Sequence, residues 1–288
     1  MTSIEWTHGH GKKGETWNPI TGCTKVSEGC AHCYAEGIAK RFWGDRKFGD
    51  VQFHPERLEQ PLRWRKPRMV FVNSMSDLFH ESVTHEQILS IWTVMQQTPH
   101  HTYQILTKRP DRMLAVAKEL YTEICPAPLP NVWLGCTVEN QRTADERIPL
   151  LLQTPAAVRF LSCEPLLEDV LIPFDACERC KTPIFEDAPC CPGCRQGCLG
   201  LRIMGGGINW VIVGGESGPK ARPCDIDWIR SIVEQCKDAG VPCFAKQLGS
   251  KSVNPSDPRN AVMGPPKFTG KGGNPNEWPE DLRVREFP

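Results

Sequence analysis

The chain has 288 residues with 34 basic and 34 acidic side chains, so its formal net charge at pH 7 is zero. A composition of 40% hydrophobic and 24% charged residues is ordinary for a globular protein and argues against an intrinsically disordered chain. The balanced charge gives no global sign of a polyanionic partner, although it leaves room for a local basic groove.

The sequence contains no apolar run long enough to span a membrane and no recognisable secretory leader, so we expect a cytoplasmic protein without a membrane partner. A reducing compartment disfavours stable disulfides. The 15 cysteines are therefore better explained, where they cluster, by metal or redox chemistry than by a disulfide framework.

The first chemical feature along the chain is a cysteine loop. Cys23, Cys30 and Cys33 are separated by six and then two residues, and Gly22 and Gly29 make the loop flexible. Three thiolates can hold three irons of a 4Fe-4S cluster and leave the fourth iron open to a small molecule. The alternatives are a zinc site, which would need a fourth ligand, and unligated buried thiols.

After this loop, short apolar runs alternate with helix-like stretches. The predicted strands are 17–21, 69–73, 103–107, 132–136, 158–162, 210–214 and 241–245. The predicted helices are 86–97, 111–121, 142–152 and 227–239. Apolar strands separated by helices predict an α/β fold with a parallel sheet covered on both faces. About seven strands joined by right-handed crossovers favour a partial or full (β/α) barrel over an open sheet.

Polar residues follow these strands, where the chemistry of such folds is located. The candidates are Asn73, Ser74, Ser76, Asp77, Thr107, Lys108, Glu139, Asn140, Glu164, Glu216 and Lys246. Glu139, Asn140 and Glu164 either bind ribose hydroxyls or substrate, or simply cap the next helix. The run Gly214-Gly215-Glu216 either lets a ligand approach the backbone closely or forms a tight turn.

A second group of cysteines interrupts the alternation of strands and helices. It contains two Cys-x-x-Cys pairs, Cys177 with Cys180 and Cys191 with Cys194, with ten residues between the pairs. Two such pairs are typical of a zinc site with four thiolates. An auxiliary iron–sulfur cluster is the alternative, since further cysteines lie in the same segment.

These patterns predict a barrel over residues 1–249 that is interrupted by the cysteine-rich, zinc-ribbon-like insertion 175–204. Residues 250–288 are rich in proline and glycine, and we expect a tail with little regular structure.

The cysteine loop with its trailing Tyr34 resembles the cluster-binding loop of radical S-adenosylmethionine (radical SAM) enzymes. Their usual loop has three and then two residues between the cysteines, so this loop is a widened version. The stretches 17–23, 160–167 and 210–218 also resemble a phage-associated family of radical SAM-like proteins. That similarity covers roughly residues 4–249.

The resemblance implies a (β/α) barrel of radical SAM type whose cluster is held by the three cysteines of the loop. S-Adenosyl-L-methionine would chelate the open iron, and one electron from a flavodoxin- or ferredoxin-type donor would cleave it to methionine and a 5′-deoxyadenosyl radical. Tyr34 is expected near the adenine, and Ser74, Ser76 or Asp77 near the SAM amino group. The remaining candidate cofactor contacts are Glu139, Asn140, Glu164, Gly214, Gly215 and Glu216.

Members near this family remodel modified thymines in viral DNA, which implies isomerase- or lyase-type chemistry and DNA as a partner, in the host cytoplasm if a phage encodes the chain. Nine tryptophans and the basic stretch 63–68 are compatible with base stacking and phosphate contacts. The alternative function is a zinc-stabilised nucleic-acid-binding protein without catalysis.

Overall fold

The computed structural model describes Thr2 and residues 4–123, 127–177, 183–184, 202–203, 207–254 and 268–288. The chain divides into two compact units. The first comprises Met1–Cys136 and Thr154–Val158, and the second comprises Thr137–Gln153 and Arg159–Pro288. Within each unit the long strands pair in parallel, and helices lie between most of the successive long strands. The predicted α/β class is confirmed.

The first unit contains four long parallel strands and one short antiparallel pair. The strands are β1 (Lys13–Trp17), β2 (Ile20–Thr21), β3 (Gln52–Phe53), β4 (Arg68–Val72), β5 (Thr102–Thr107) and β6 (Val132–Thr137). The parallel order is β1-β4-β5-β6, while β2 pairs with β3. Trp17 lies opposite Val72, and Thr107 lies opposite Cys136. The carboxyl ends of these strands therefore meet at one edge of the sheet.

Three α-helices belong to the first unit: α1 (Tyr34–Phe42), α2 (His85–Gln97) and α3 (Pro110–Glu123). Thr84 and Gln87 form a reciprocal capping box at the start of α2, which satisfies two backbone N–H groups that the helix leaves open. Helix α2 then buries Ile88, Ile91, Trp92, Val94 and Met95. Pro110 starts α3, where its missing N–H removes no helical hydrogen bond.

The described part of the second unit contains three long parallel strands and several short ones. Its elements are α4 (Gln141–Gln153), β7 (Val158–Cys163), β8 (Asp175–Cys177), β9 (Pro183–Ile184), β10 (Arg202–Ile203), β11 (Trp210–Gly214), β12 (Cys224–Asp225), α5 (Ile226–Asp238), β13 (Cys243–Gln247) and β14 (Ser252–Val253). The parallel order is β7-β11-β13. Strands β8, β9 and β10 form a separate antiparallel sheet, and β12 pairs with β14.

The end of the chain contributes to the core of the second unit. Trp278 and Leu282 are buried, and the indole of Trp210 donates a hydrogen bond to the carbonyl of Glu286. The described regular structure of the tail consists of the short strand β14, two short 3-10 helices, Pro275–Glu277 and Glu280–Leu282, and a bridge between Arg285 and Phe244. The residues of this tail that the structure describes are thus largely irregular in backbone but packed through their side chains.

Two strands differ from the prediction by two residues or more at an end. The first lies at Lys13–Trp17 rather than 17–21, and it is an edge strand with polar side chains at several positions. An edge strand needs no continuous apolar run, so its sequence carries little signal. The last strand begins at Cys243 rather than Val241, directly after Pro242, which has no N–H to donate to a sheet. Of the described helices, none is both long and apolar enough to cross a bilayer.

Candidate functional site

The cysteine loop is fastened to two other segments of the first unit. The Gly22 N–H donates to the Met75 carbonyl at 3.0 Å, and the Cys23 N–H donates to the Phe48 carbonyl at 2.9 Å. Cys30 ends a 3-10 turn, Glu28–Cys30. The loop therefore has a fixed start, a turn in its middle and, directly after its third cysteine, a helix.

The three cysteines form no disulfide and are each partly exposed. The pKa of the Cys23 thiol is raised to about 11, first by burial and then by the nearby Asp77, against the lowering effect of Arg109. Without a metal, Cys23 is consequently a protonated thiol at neutral pH. A metal bound here would displace that proton, because the thiolate is the ligand form.

Gly22 fixes the entry to this loop, and we predict that Gly22→Ala disrupts it. Gly22 has φ of +96°, and an added Cβ would lie 2.6 Å from the Asp50 carbonyl oxygen and 2.9 Å from that of Phe48. The left-handed backbone alone costs a non-glycine residue about 1–2 kcal/mol, and the contacts with rigid backbone add to this. Urea unfolding should therefore show that Gly22→Ala lowers the free energy of unfolding by at least about 1–2 kcal/mol.

The matched control for this prediction is Gly49→Ala. Gly49 lies on the segment that the loop contacts, has no positive φ and would place its Cβ in open space. Its substitution should leave the free energy of unfolding unchanged or slightly raised. Equal stability of the Gly22 and Gly49 variants would show that the loop entry is not constrained in this way.

A buried guanidinium organises the first part of the loop. Arg109 Nη1 lies 3.6 Å from Cys23 Sγ and 3.3 Å from Asp77 Oδ2, while Nη2 donates to the Thr24 carbonyl and hydroxyl at 3.2 and 2.8 Å. Its Nε lies 3.4 Å from Glu81 Oε2. Burial alone would lower the pKa of Arg109, but neighbouring anions, chiefly Asp77, raise it above its ordinary value. Arg109 therefore stays cationic beside the first cysteine.

Asp77 is in turn held by residues at the end of β5 and by the loop in which it lies. Its carboxylate accepts hydrogen bonds from the Thr107 hydroxyl at 2.7 Å, the Lys108 N–H at 3.1 Å and the Phe79 N–H at 2.9 Å. Asp77 is 6% exposed. Its oxygens therefore face partners within the protein, and it serves to position Arg109. A contact with a SAM amino group stays a prediction.

His80 supports the same loop from the other side of Thr24. Its Nδ1 accepts from the Ser82 N–H at 3.1 Å, so the ring proton is on Nε2, which donates to the Thr24 hydroxyl at 2.8 Å. Burial, with the nearby Arg109, lowers the pKa of His80 below its ordinary value. The imidazole is therefore neutral at pH 7 and acts here as a hydrogen-bond donor.

The serines after β4 bind the N-terminal segment of the chain. The Ser74 hydroxyl donates to Asn18 Oδ1 at 3.2 Å, and the Ser76 hydroxyl donates to the Ile20 carbonyl at 3.0 Å. The Tyr34 hydroxyl donates to the Ser74 carbonyl at 2.5 Å, and Tyr34 is 55% exposed. The structure thus brings Tyr34, Ser74, Ser76 and Asp77 to the cysteine loop. Their predicted contacts with SAM remain untested.

A cavity of about 550 Å³ opens beside Cys23. It is lined by Cys23, Thr24, Lys25, Glu36, Lys40, Gly44, Asp45, Arg46, Lys47, Phe48 and Gly49. Glu36 lies between two of the cations, 3.2 Å from Lys25 Nζ and 2.9 Å from Lys40 Nζ. The cavity therefore offers charged groups of both signs, with cations in the majority, next to the first cysteine.

The donor set fits the cluster that the sequence predicts. Three thiols on one loop can bind three different irons, and the Arg109 cation favours the thiolate form of Cys23. Across the described part of the chain, no three histidine, cysteine, aspartate or glutamate side chains are grouped as ligands of one metal ion. A 4Fe-4S cluster asks for a different arrangement, because each cysteine binds a different iron.

In the second unit, a lysine and a carboxylate meet at the ends of the parallel strands. Lys246 Nζ lies 3.2 Å from Glu164 Oε1 and 3.3 Å from Oε2. A Cβ on Gly214 would lie 2.9 Å from Glu164 Oε1 and 2.9 Å from the Gln247 carbonyl oxygen. The glycine at the end of β11 thus makes room for this ion pair, and Glu164 has a partner within its own unit.

Glu216 and Gly215 are likewise engaged by their own unit. Arg222 forms a two-pronged ion pair with Glu216, with Nε 3.0 Å from Oε2 and Nη2 2.7 Å from Oε1. A Cβ on Gly215 would lie only 2.4 Å from the Leu248 carbonyl oxygen. Glycine is needed at position 215 because another backbone segment approaches it closely. The structure therefore accounts for this glycine without a bound ligand.

Glu139 and Asn140 directly precede α4. Glu139 is fully buried, and its Oε2 accepts from Arg147 Nη1 at 3.0 Å. Asn140 Oδ1 accepts from the Thr143 N–H at 2.9 Å, as an N-terminal helix cap does. Of the two roles that the sequence left open for these residues, the structure shows the capping role for Asn140 and an ion pair for Glu139.

The second cysteine group is described only in small part. The backbone of Cys177 ends β8 and pairs with Arg202 of β10. Cys180, Cys191 and Cys194 lie outside the described residues. The choice between zinc and an auxiliary cluster at this group therefore stays a prediction from the sequence.

No curated protein and no solved structure matches the chain. One family model matches residues 1–271, nearly the whole length, and its description is "Protein of unknown function (DUF5131)". The chain therefore belongs to the DUF5131 family.

Proposed function

We propose that the chain is a radical SAM enzyme with a (β/α) barrel of that type, holding a 4Fe-4S cluster on Cys23, Cys30 and Cys33. The observation that carries the proposal is the set of three unpaired, partly exposed cysteines on one loop, with the buried Arg109 cation 3.6 Å from Cys23 Sγ. When bound, the cluster and S-adenosylmethionine would supply a carbon-centred radical that takes hydrogen from an unactivated carbon.

The chain's own residues position this chemistry. Asp77 fixes Arg109, which holds the Cys23–Thr24 segment through three hydrogen bonds and favours the thiolate. The cavity beside Cys23 has carboxylates and ammonium groups, which suit the amino and carboxylate groups of a methionyl ligand. Glu36 would accept a hydrogen bond from the amino group of such a ligand, and Lys25 or Lys40 would face its carboxylate.

The proposed substrate is a modified thymine base in phage DNA, and the proposed reaction is of isomerase or lyase type. This assignment rests on the family resemblance. In the basic stretch, Arg63 pairs with Glu59 and Arg68 pairs with Glu15, at 2.9 and 2.6 Å. The two cations between them are exposed and remain available for phosphate contacts.

The proposal is tested by anaerobic reconstitution of the protein with iron and sulfide. Reduction with dithionite in the presence of SAM should give 5′-deoxyadenosine and methionine, measured by liquid chromatography and mass spectrometry. Protein that carries an intact cluster and forms no 5′-deoxyadenosine would refute the radical SAM assignment. Adding DNA that carries an amino-acid adduct on thymine, followed by nucleoside analysis, then tests the substrate.

The alternative of a zinc-stabilised binding protein makes the opposite prediction for the same material. It requires colourless protein with zinc at both cysteine sites and no iron–sulfur absorption after reconstitution. Metal analysis of the purified protein separates the two functions before any assay is run.

A further inference from the structure

Apolar side chains are exposed around the cysteine loop. Six large hydrophobic residues of the described chain are exposed, and four of them, Val26, Tyr34, Ile38 and Phe42, lie between residues 26 and 42. Phe42 is 71% exposed and Ile38 is 42% exposed. Scattered exposed hydrophobics are normal, but a concentration on one short segment marks an interaction surface.

Helix α1 presents this surface in rows of residues four apart, which lie above one another on a helix. One row is Tyr34, Ile38 and Phe42, and all three members are exposed. The row of Ala35 and Ala39 is buried and attaches the helix to the first unit. Between the apolar row and the row of Glu36 and Lys40 lies a third row, formed by Gly37 and Arg41. The exposed face of α1 is thus apolar on one side and charged on the other.

Gly37 leaves the centre of this face open. It sits inside the helix, where glycine is less favourable than alanine. A Cβ at this position would have nothing within 4 Å, so packing within the chain does not require glycine. A glycine that neither the backbone nor the packing demands allows another molecule to approach the helix closely.

The charges on this face favour an acidic partner. Helix α1 carries Lys40 and Arg41 against Glu36, whose carboxylate is already shared by Lys40 and Lys25. Within the described residues, Arg41 makes no ion pair. Exposed cations beside an apolar row complement a protein whose own docking surface is apolar and ringed by carboxylates.

We infer that this face of α1 is the docking site for a small acidic electron-carrier protein of flavodoxin type. The inference rests on the proposed function, because only a redox cluster needs such a partner. Helix α1 begins at the residue after Cys33, so a carrier on this face lies next to the cluster-binding loop. The reduced carrier would give one electron to a cluster held by this loop. The carrier would thereby be oxidised by one electron, with no bond or proton exchanged.

The test measures binding of a bacterial flavodoxin to the reconstituted protein by surface plasmon resonance. We expect each of three substitutions to weaken binding about tenfold. Gly37→Gln obstructs close approach, Ile38→Asp removes an apolar contact, and Arg41→Glu reverses a charge. Leu62→Asp is the matched control, since Leu62 is another exposed apolar residue of the first unit, at 47% exposure. It should bind flavodoxin as the wild type does.

The same variants are then assayed for SAM cleavage with two reductants. Cleavage driven by dithionite should be unchanged, while cleavage driven by reduced flavodoxin should fall about tenfold. If all three variants bind flavodoxin as the wild type does, the proposed docking site is wrong. It is also wrong if the chain forms a dimer that the same variants abolish, because the face then binds a second copy. A wild type that forms no 5′-deoxyadenosine with dithionite overturns the radical SAM proposal instead.

Discussion

Replacing Cys30 with alanine is expected to abolish cluster assembly and, with it, cleavage of S-adenosylmethionine. The variant keeps Cys23 and Cys33, but two thiolates leave two irons without protein ligands instead of one. Cys30 ends a 3-10 turn in the middle of the loop, and it is partly exposed and unpaired. Its removal should therefore cost little folding energy. Iron and sulfide analysis, together with visible absorption after reconstitution, provides the measurement.

The matched control for this prediction is Cys224→Ala. Cys224 is fully buried in a short strand of the second unit, and burial raises the pKa of its thiol to about 12. Such a cysteine behaves as a small core residue, so its replacement should lower stability modestly and leave about four irons per chain. Retained iron and retained 5′-deoxyadenosine formation in the Cys30 variant would overturn the ligand assignment.

The central strands were predictable because they are buried on both faces. The strand at Trp210–Gly214 lies where its apolar run predicts, and that at Val132–Thr137 extends the prediction by one residue. The prediction misplaces the edge strand at Lys13–Trp17 because an edge strand needs a neighbouring strand on one side alone, and because its polar and apolar side chains are mixed. The hydrophobic periodicity and the apolar runs of a sequence indicate which residues are buried. They therefore locate the central strands of a sheet better than its edge strands.

The candidate site was predictable where a single residue type carries the chemistry. The three cysteines stand out by type and spacing, whereas Arg109 and His80 are ordinary polar residues in the sequence. Arg109 acts through contacts with Cys23 and Thr24, more than eighty positions away, and no local pattern encodes that distance. The available signal was its place directly after β5, at the carboxyl edge of the sheet, beside the Thr107 and Lys108 that the sequence did single out.

Carboxylates at strand ends proved harder to interpret than cysteines. Glu139 and Glu216 each have an arginine of the same unit as a partner, eight and six residues further along the chain. A carboxylate at a strand end is equally suited to a ligand, a cap or an ion pair, and its neighbours in space decide between these roles. The sequence identifies the position of such a carboxylate, whereas its role depends on which arginine the fold brings into contact with it.

We expect the largest change in the free energy of unfolding from substitutions in the buried pair of Asp77 and Arg109. Their side chains are 8% and 9% exposed, and the closest atoms are 3.3 Å apart. Arg109→Gln leaves the Asp77 carboxylate buried without its cation, which typically costs about 3–5 kcal/mol. Asp77→Asn leaves the guanidinium beside the exposed Glu81 in place of a buried carboxylate, and it turns an amide N–H₂ towards donors such as the Lys108 N–H. Urea unfolding of each variant provides the measurement.

The double variant distinguishes a specific pair from two independent contributions. If the two groups act on each other, Asp77→Asn with Arg109→Gln should cost less than the sum of the single variants, by about 0.5–3 kcal/mol. Arg142→Gln is the control, because Arg142 and its partner Glu146 are 60% and 55% exposed and 3.1 Å apart. That exposed pair should contribute no more than about 0.5 kcal/mol. Additive losses at Asp77 and Arg109 would contradict the coupling, and with it the view that Asp77 positions Arg109 against Cys23.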